Sequence, residues 1–354
     1  MKILVRLKKK LEQLLFIELK EGAQIGRYKL PNAIYVAIRS EELINKVKNG
    51  DSMEQIPLST LYEGMYFVLG ADEEFKFNDE YIKLLRENED STKFIKNKTL
   101  KLVKEEKYEE AFIFLRGLSK VEETKDVYEK LIYVTDKLRS EDEEYTTIEM
   151  KILNRAKGFG GFPLPHLYDA LIKRDKGDFV FAMESLQKYL ELGGKEDNDI
   201  IEFKQNLSAI LKYDKGKELS ITDPKGSLEI LIPLMPVLGD SAEYYYHVAV
   251  AYRNLENYEK AIYYLNEAFA IDKRFLEVLN EYGINYAALG NYEKAIQYFE
   301  KAFEQSNSIE LATNIVMCYI HNDNMIKAKE VLEEAIKIDP DDEIVQQLRE
   351  YYKI

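Results

Sequence analysis

Small and large apolar residues alternate with polar ones at helical spacing through the last third of the chain. Ala261 and Ala268 stand seven apart, two turns of one helix, and so share a face. Small residues at those positions predict a helix that approaches its neighbour closely, with Tyr252 and Leu265 filling the space left over. Asn257, Asn291 and Asn324 each precede such a helix and are placed to cap it. After Pro340, the residues Asp341-Asp342-Glu343 open a last helix, predicted to turn Ile344, Leu348 and Tyr351 inward and Gln347, Arg349, Glu350 and Lys353 outward.

The pattern repeats. Tyr258-Glu259-Lys260-Ala261-Ile262 aligns without a gap on Tyr292-Glu293-Lys294-Ala295-Ile296, 34 residues on, and Met325-Ile326-Lys327-Ala328-Lys329 follows 33 residues later. The first unit supplies Tyr245, Ala249, Tyr252, Ala261, Leu265 and Ala268. The second supplies Leu279, Gly283, Tyr286, Ala295, Phe299 and Ala302. The third supplies Ala312, Val316, Tyr319, Ala328, Leu332, Ala335 and Pro340. This spacing resembles the tetratricopeptide repeat family, whose unit is a pair of antiparallel helices. The resemblance implies a mainly α fold, a right-handed α-α solenoid. It departs from the family pattern in having no Trp at the first large position, Val316 at a small one, and a single closing Pro.

Upstream the theme fades but persists. Gly177-Asp178-Phe179-Val180-Phe181-Ala182 and Lys107-Tyr108-Glu109-Glu110-Ala111 repeat a turn followed by Ala, and the two Ala residues lie 71 apart, close to two units. Weaker units are expected at 125–156 and at 200–237, the latter with Ser227 near the Ala position and Pro233 and Pro236 disturbing its second helix. The expected partition is a small α or α+β head at 1–88, degenerate hairpins at 89–241, three clear units at 242–340 and a capping helix at 341–354. Within the head, Met1–Lys20 reads as an amphipathic basic helix. Arg27–Leu30 and Ala33–Ile38 read as a hairpin around Pro31-Asn32, and Ser40–Val47, Ser59–Leu69 and Asn78–Arg86 as helices.

Composition sharpens this picture. Gly (17) and Pro (8) are sparse while 32% of residues are charged, which suits long helices with solvated faces. Net charge is −14, yet residues 1–50 carry eleven basic and five acidic side chains. An acidic body argues against nucleic acid as the partner. The basic segment Lys2–Lys10 has two readings. Ile3, Leu4, Leu7, Leu11 and Leu14 would face either an anionic membrane or the protein; the second is favoured because Leu15, Phe16 and Leu19 extend the apolar area. No apolar run is long enough to span a bilayer, and no signal peptide is expected. The single Cys318 sits in a helical pattern, reads as a packed thiol, and fits a reducing cytoplasm.

Catalytic chemistry finds little support. His166, His247 and His321 are dispersed, and no phosphate-loop or zinc-protease motif occurs, so neither enzyme activity nor a cofactor is expected. Gly158-Phe159-Gly160-Gly161-Phe162-Pro163 is the only Gly-rich loop and reads as a flexible joint rather than a phosphate cradle.

The resemblance implies a more specific site. In the family, ligands lie along the concave face made by first helices. Carried over, that face comprises Tyr246, Val250, Arg253 and Asn254, then Asn280, Ile284 and Ala287, then Thr313, Asn314, Met317 and His321. The family's chaperone-tail binders hold a carboxylate with a cationic and amide set; here those positions read Tyr246, Val250, Glu281, Glu310 and Asn314, so that ligand class is not expected. Glu243, Glu277 and Glu310 recur at equivalent places, where they complement the helix dipole. The implied function is a protein- or peptide-binding scaffold, with a regulator whose solenoid controls the head as the alternative and an enzyme with its site in the head as the third reading.

Overall fold

The computed structural model describes residues 2–39 and 56–352, so the helix expected at Ser40–Val47 lies outside the described residues. The chain divides into two compact units, 1–201 and 202–354.

The first unit opens with α1 (Lys2–Lys9), a 3-10 turn at Lys10–Gln13 and four strands: β1 (Leu14–Leu19), β2 (Gln24–Ile25), β3 (Tyr28–Lys29) and β4 (Ile34–Arg39). This corrects the expectation of a basic helix reaching Lys20. Leu15, Ile17 and Leu19 oppose Ile38, Val36 and Ile34 across an antiparallel ladder, a period of two that the apolar run had concealed. The hairpin is redrawn as well. β3 pairs with β2 around Gly26, whose φ of 57° favours glycine, and β4 pairs with β1.

The α1 stripe is packed against protein: Ile3 and Leu7 are buried. Its basic groups reach acids on later elements. Arg6 meets Glu109 at 3.1 Å and Asp142 at 3.4 Å, Lys8 meets Asp72 at 3.1 Å, and Lys10 pairs with Glu109. The chain then forms α2 (Leu58–Ala71), buried along most of its length, and α3 (Asn78–Glu87).

Three helical hairpins follow: α4 (Glu89–Lys104) with α5 (Tyr108–Val121), α6 (Lys125–Glu141) with α7 (Thr146–Ala156), and α8 (Leu164–Asp175) with α9 (Phe179–Glu191). One apolar core runs from Ile3 and Val36 through Met65 and Tyr66 to Phe112, Leu131 and Tyr145, so the strands and the first hairpins share it. The Gly158–Pro163 segment is pinned. Phe162 is buried, Phe159 stands edge-on to Tyr128 at 5.1 Å, and Lys125 donates to the Gly161 carbonyl at 3.1 Å.

The second unit begins on α10 (Asn198–Thr222) and α11 (Pro224–Leu231). Helix breaks up around Pro233 and Pro236 into a 3-10 turn and a single α turn, as proline's missing N–H requires. Then come α12 (Ala242–Asn254) with α13 (Tyr258–Ile271), α14 (Leu276–Ala288) with α15 (Tyr292–Ser306), α16 (Ile309–His321) with α17 (Met325–Ile338), and α18 (Glu343–Tyr352). The small positions Ala249, Ala261, Ala268, Ala295, Ala302, Ala312, Ala328 and Ala335 are all buried. Asn257, Asn291 and Asn324 accept the backbone N–H of Lys260, Lys294 and Lys327 at 3.2–3.3 Å, the expected caps. The inner face of α18 differs from expectation. Val345 and Leu348 are buried, whereas Ile344 and Tyr351 are exposed, because Asp342 caps the N–H groups of Ile344 and Val345 and fixes the helix start there.

Five hairpins close with one backbone turn. Glu106, Gly177, Glu256, Gly290 and Asp323 all take a left-handed φ between 55° and 79°. In each, the next N–H reaches a carbonyl in the last turn of the first helix, as Lys107 does to Leu102 and Asn291 to Tyr286. The turn recurs in both units, and α6–α7 closes differently, through Asp142 accepting from Glu144.

Candidate partner-binding faces

In the second unit the expected face divides into exposed and consumed positions. Val250 and Thr313 are only 4% and 3% exposed and offer no surface. The Thr313 hydroxyl donates to the Ile309 and Glu310 carbonyls. Asn254 donates to the Ser220 carbonyl at 2.8 Å, so its amide is already used. Arg253 donates to the Glu281 carboxylate at 2.8 Å; burial raises that acid's pKa while Arg253 opposes the rise. Glu281 therefore sits in an internal ion pair, as its mismatch with a carboxylate-binding position would allow. Tyr246 lies against Phe275 at 5.5 Å, and burial pushes its phenol up to about 12. Ile284 and Asn314 are half-buried, Met317 is exposed, and exposed His321 stacks on Tyr292 at 5.2 Å. The Asn280 side-chain oxygen is buried with no hydrogen-bond partner. Cys318 is buried, its thiol pushed up to about 11, as a packed, unreactive group should be.

A concave apolar surface lies in the first unit. A recess of about 390 Å³ opens between α4, α6 and α8. Leu100, Val103, Leu115, Tyr133, Leu164 and Tyr168 form its walls, and Lys96, Asn97, Glu129 and Lys130 stand at its rim. Leu100 is 53% exposed and Tyr133 40%, large apolar side chains left in water. The rim cations are held in place: Lys96 meets Glu122 at 2.6 Å, and Lys130 pairs with Asp126. Burial pushes the Tyr168 phenol up to about 12.

This recess lies outside the face expected from the sequence, though a signal for it exists. Counted back from the left-handed turn residue, Leu100 stands to Glu106 as Ile284 stands to Gly290 and Met317 to Asp323. Lys96, in the same way, matches Asn280 and Thr313. The first-helix face expected in the second unit thus has its register counterpart in the first. The turn at Lys107-Tyr108 is visible in the sequence, and its spacing carried backward onto α4 leads to Leu100.

Family models for tetratricopeptide repeats match residues 242–275 and 286–350. The first segment covers α12 and α13, and the second runs from the last residues of α14 through α15, α16 and α17 into α18. Residues 242–275 and 286–350 are tetratricopeptide repeats. No curated protein matches the chain in sequence. Among solved structures it is similar to MamA, at 20% identity over 55% of this chain and 98% of that one, with a TM-score of 0.37. It is also similar to a thermophilic tetratricopeptide repeat protein of Thermus thermophilus, at 16% identity over 52% of this chain and 95% of that one, TM-score 0.33. A third is YrrB, described as having an unusual peptide-binding site, at 15% identity over 78% and 98%, TM-score 0.30. The repeat assignment rests on the family models and on the caps and turns above. Among the described residues of this repeat protein, no helix is long and apolar enough to cross a membrane.

Proposed function

We propose that this chain is a non-enzymatic scaffold that holds a protein or peptide on the first-helix faces of its hairpins. The observation that carries the reading is the recess between α4, α6 and α8, an apolar hollow on repeat first helices with Leu100 and Tyr133 exposed in it. A hollow of that size accepts one or two large apolar side chains of an amphipathic segment. In the second unit the surface left after internal pairing is Tyr246, Ile284, Met317 and His321 with the amides of Asn280 and Asn314. It is a second contact region on equivalent positions. The scaffold reading is preferred to a solenoid that drives a separate head, because the strands and the first hairpins share one core and α1 is tied to Glu109 and Asp142.

Affinity capture from the native cell, followed by titration of the captured partner, tests the proposal. Leu100→Asp should weaken binding by about 1–3 kcal/mol, the transfer value of one buried leucine. Asn280→Ala with Asn314→Ala should weaken a partner that spans the second face by about 1–3 kcal/mol if both amide bonds are buried. A partner indifferent to both sets would overturn the use of first-helix faces.

A further inference from the structure

The two-stranded ladder of β1 and β4 has one covered edge and one open edge. On β4, the Tyr35 carbonyl accepts a hydrogen bond from the Tyr81 hydroxyl, and the Ala37 carbonyl abuts Gly64 of α2, where an added Cβ would collide with it. Tyr35 and Ala37 therefore turn their carbonyls away from β1. In an antiparallel ladder, residues opposite each other either exchange both backbone bonds or exchange none. Tyr35 opposes Glu18, Ala37 opposes Phe16 and Arg39 opposes Leu14. Leu14, Phe16 and Glu18 accordingly turn their backbone groups away from β4. The Leu14 N–H is taken by the Leu11 carbonyl, at the end of the 3-10 turn. β4 is the only ladder partner of β1 among the described residues, and no other turn or loop backbone bond there involves Phe16 or Glu18.

This edge lacks the usual protection. It carries no Pro, no Lys and no bulge, its one charge is Glu18, and Leu15 is 51% exposed beside it. Such an edge fits an extended strand. A second copy of β1 meets its demands in a symmetric antiparallel register, centred on Phe16 or on Ile17. Centred on Phe16, antiparallel pairing sets Phe16 against Phe16, Leu14 against Glu18 and Leu15 against Ile17. Each Phe16 then exchanges both backbone bonds with its twin, each Glu18 N–H donates to the Leu14 carbonyl opposite, and the two Glu18 carboxylates stay apart. Centring on Glu18 would oppose like charges, which is destabilising.

We propose that β1 is a self-association edge, through which two copies of the chain join into a continuous four-stranded sheet of order β4-β1-β1-β4. The test is sedimentation of the full chain over a concentration series with amide exchange read at Phe16 and Glu18. The wild type should reach twice its 41.4 kDa mass. Protection of the Phe16 and Glu18 amides should rise with concentration, while the inward amides of Ile17 and Leu19 stay protected throughout.

Glu18→Pro removes an outward N–H and no bond to β4, so it should abolish the dimer and keep the thermal unfolding of the chain. Leu15→Lys places a charge at the edge and decides the case should the proline variant not fold. A wild type that stays monomeric overturns the proposal, as does a dimer that survives both substitutions. A monomer that takes up an unrelated extended peptide with protection of Phe16 and Glu18 assigns the edge to a foreign strand and also overturns it.

Discussion

The hairpins at 89–121 and 276–306 make the same turn with different side chains. Both place a left-handed residue before the second helix, Glu106 in one and Gly290 in the other. Behind the turns the two regions are held differently. The first unit ties its elements with buried carboxylates. Glu63 meets Lys98 at 2.7 Å, Asp169 meets Lys157 at 2.9 Å and Lys173 at 2.8 Å, and fully buried Glu149 meets Arg139 at 2.9 Å. Among its described residues the second unit has one such pair, Arg253 with Glu281, and relies on aromatic stacks. Tyr252 lies on Tyr264 at 5.4 Å and Tyr282 on Tyr298 at 4.4 Å, while Lys260, Lys294 and Lys327 stand over Tyr252, Tyr286 and Tyr319. One backbone geometry thus accepts ionic or aromatic packing, and only the second kind leaves a repeating sequence.

The largest expected effect breaks the ionic side of this comparison. Arg139 holds Asp136, Glu149 and Asp175 together. Arg139→Ala takes the shared cation from Asp136 and Asp175 and a donor from the protonated Glu149, and should cost about 1–3 kcal/mol. Amide exchange should show the loss confined to residues 125–191, and unchanged protection there would show that the cluster does not stabilise these hairpins.

A second expectation concerns pH. Burial and the nearby Asp136 push Glu149 up to about 8, against the pull of Arg139. The folded chain therefore keeps this proton up to about pH 8, whereas the unfolded chain releases it near 4.5. Between those values the folded state binds more protons, so this group's contribution to stability falls as pH rises, by at most about 1.4 kcal/mol per pH unit. Glu149→Gln should remove that slope, and denaturant unfolding at pH 5 and pH 8 checks it. Equal slopes in wild type and variant would refute the assignment.

The smallest effects exchange one region's device for the other's. Asn291→Ala removes a cap and should cost about 1 kcal/mol. Lys107, at the same place in the first unit, makes no side-chain cap. Lys107→Asn should supply one and gain about 0.5 kcal/mol, read as a rise in the unfolding midpoint.

Sequence legibility follows the same division. In the second unit, Asn caps and Ala positions recur at a fixed period, so helices and contacts are readable from them. In the first unit, Lys107-Tyr108 and Gly177-Asp178 mark two turns, and Ala111 and Ala182 fill their positions in the core. β1 escapes because Leu14-Leu15-Phe16-Ile17 is a continuous apolar run, which fits a strand or a helix equally well. The candidate site is half legible. Periodicity locates the first-helix face, but the internal use of Arg253 and Asn254 depends on Glu281 and Ser220, partners far along the chain. The hollow around Leu100 needs three helices brought together, and no local pattern records that.

The tyrosine stacks also give the protein an optical property. The chain has 26 tyrosines and no tryptophan, so no indole masks phenol absorption or emission. The rings stacked at Tyr252, Tyr264, Tyr282, Tyr286 and Tyr298 all belong to the second unit. Burial raises the Tyr282 and Tyr298 phenols, so alkaline titration should ionise exposed rings before them, as it should before the buried Tyr66 and Tyr81 of the first unit. Near-ultraviolet circular dichroism of these stacked rings therefore forms a built-in reporter of the repeat stack, with no label attached.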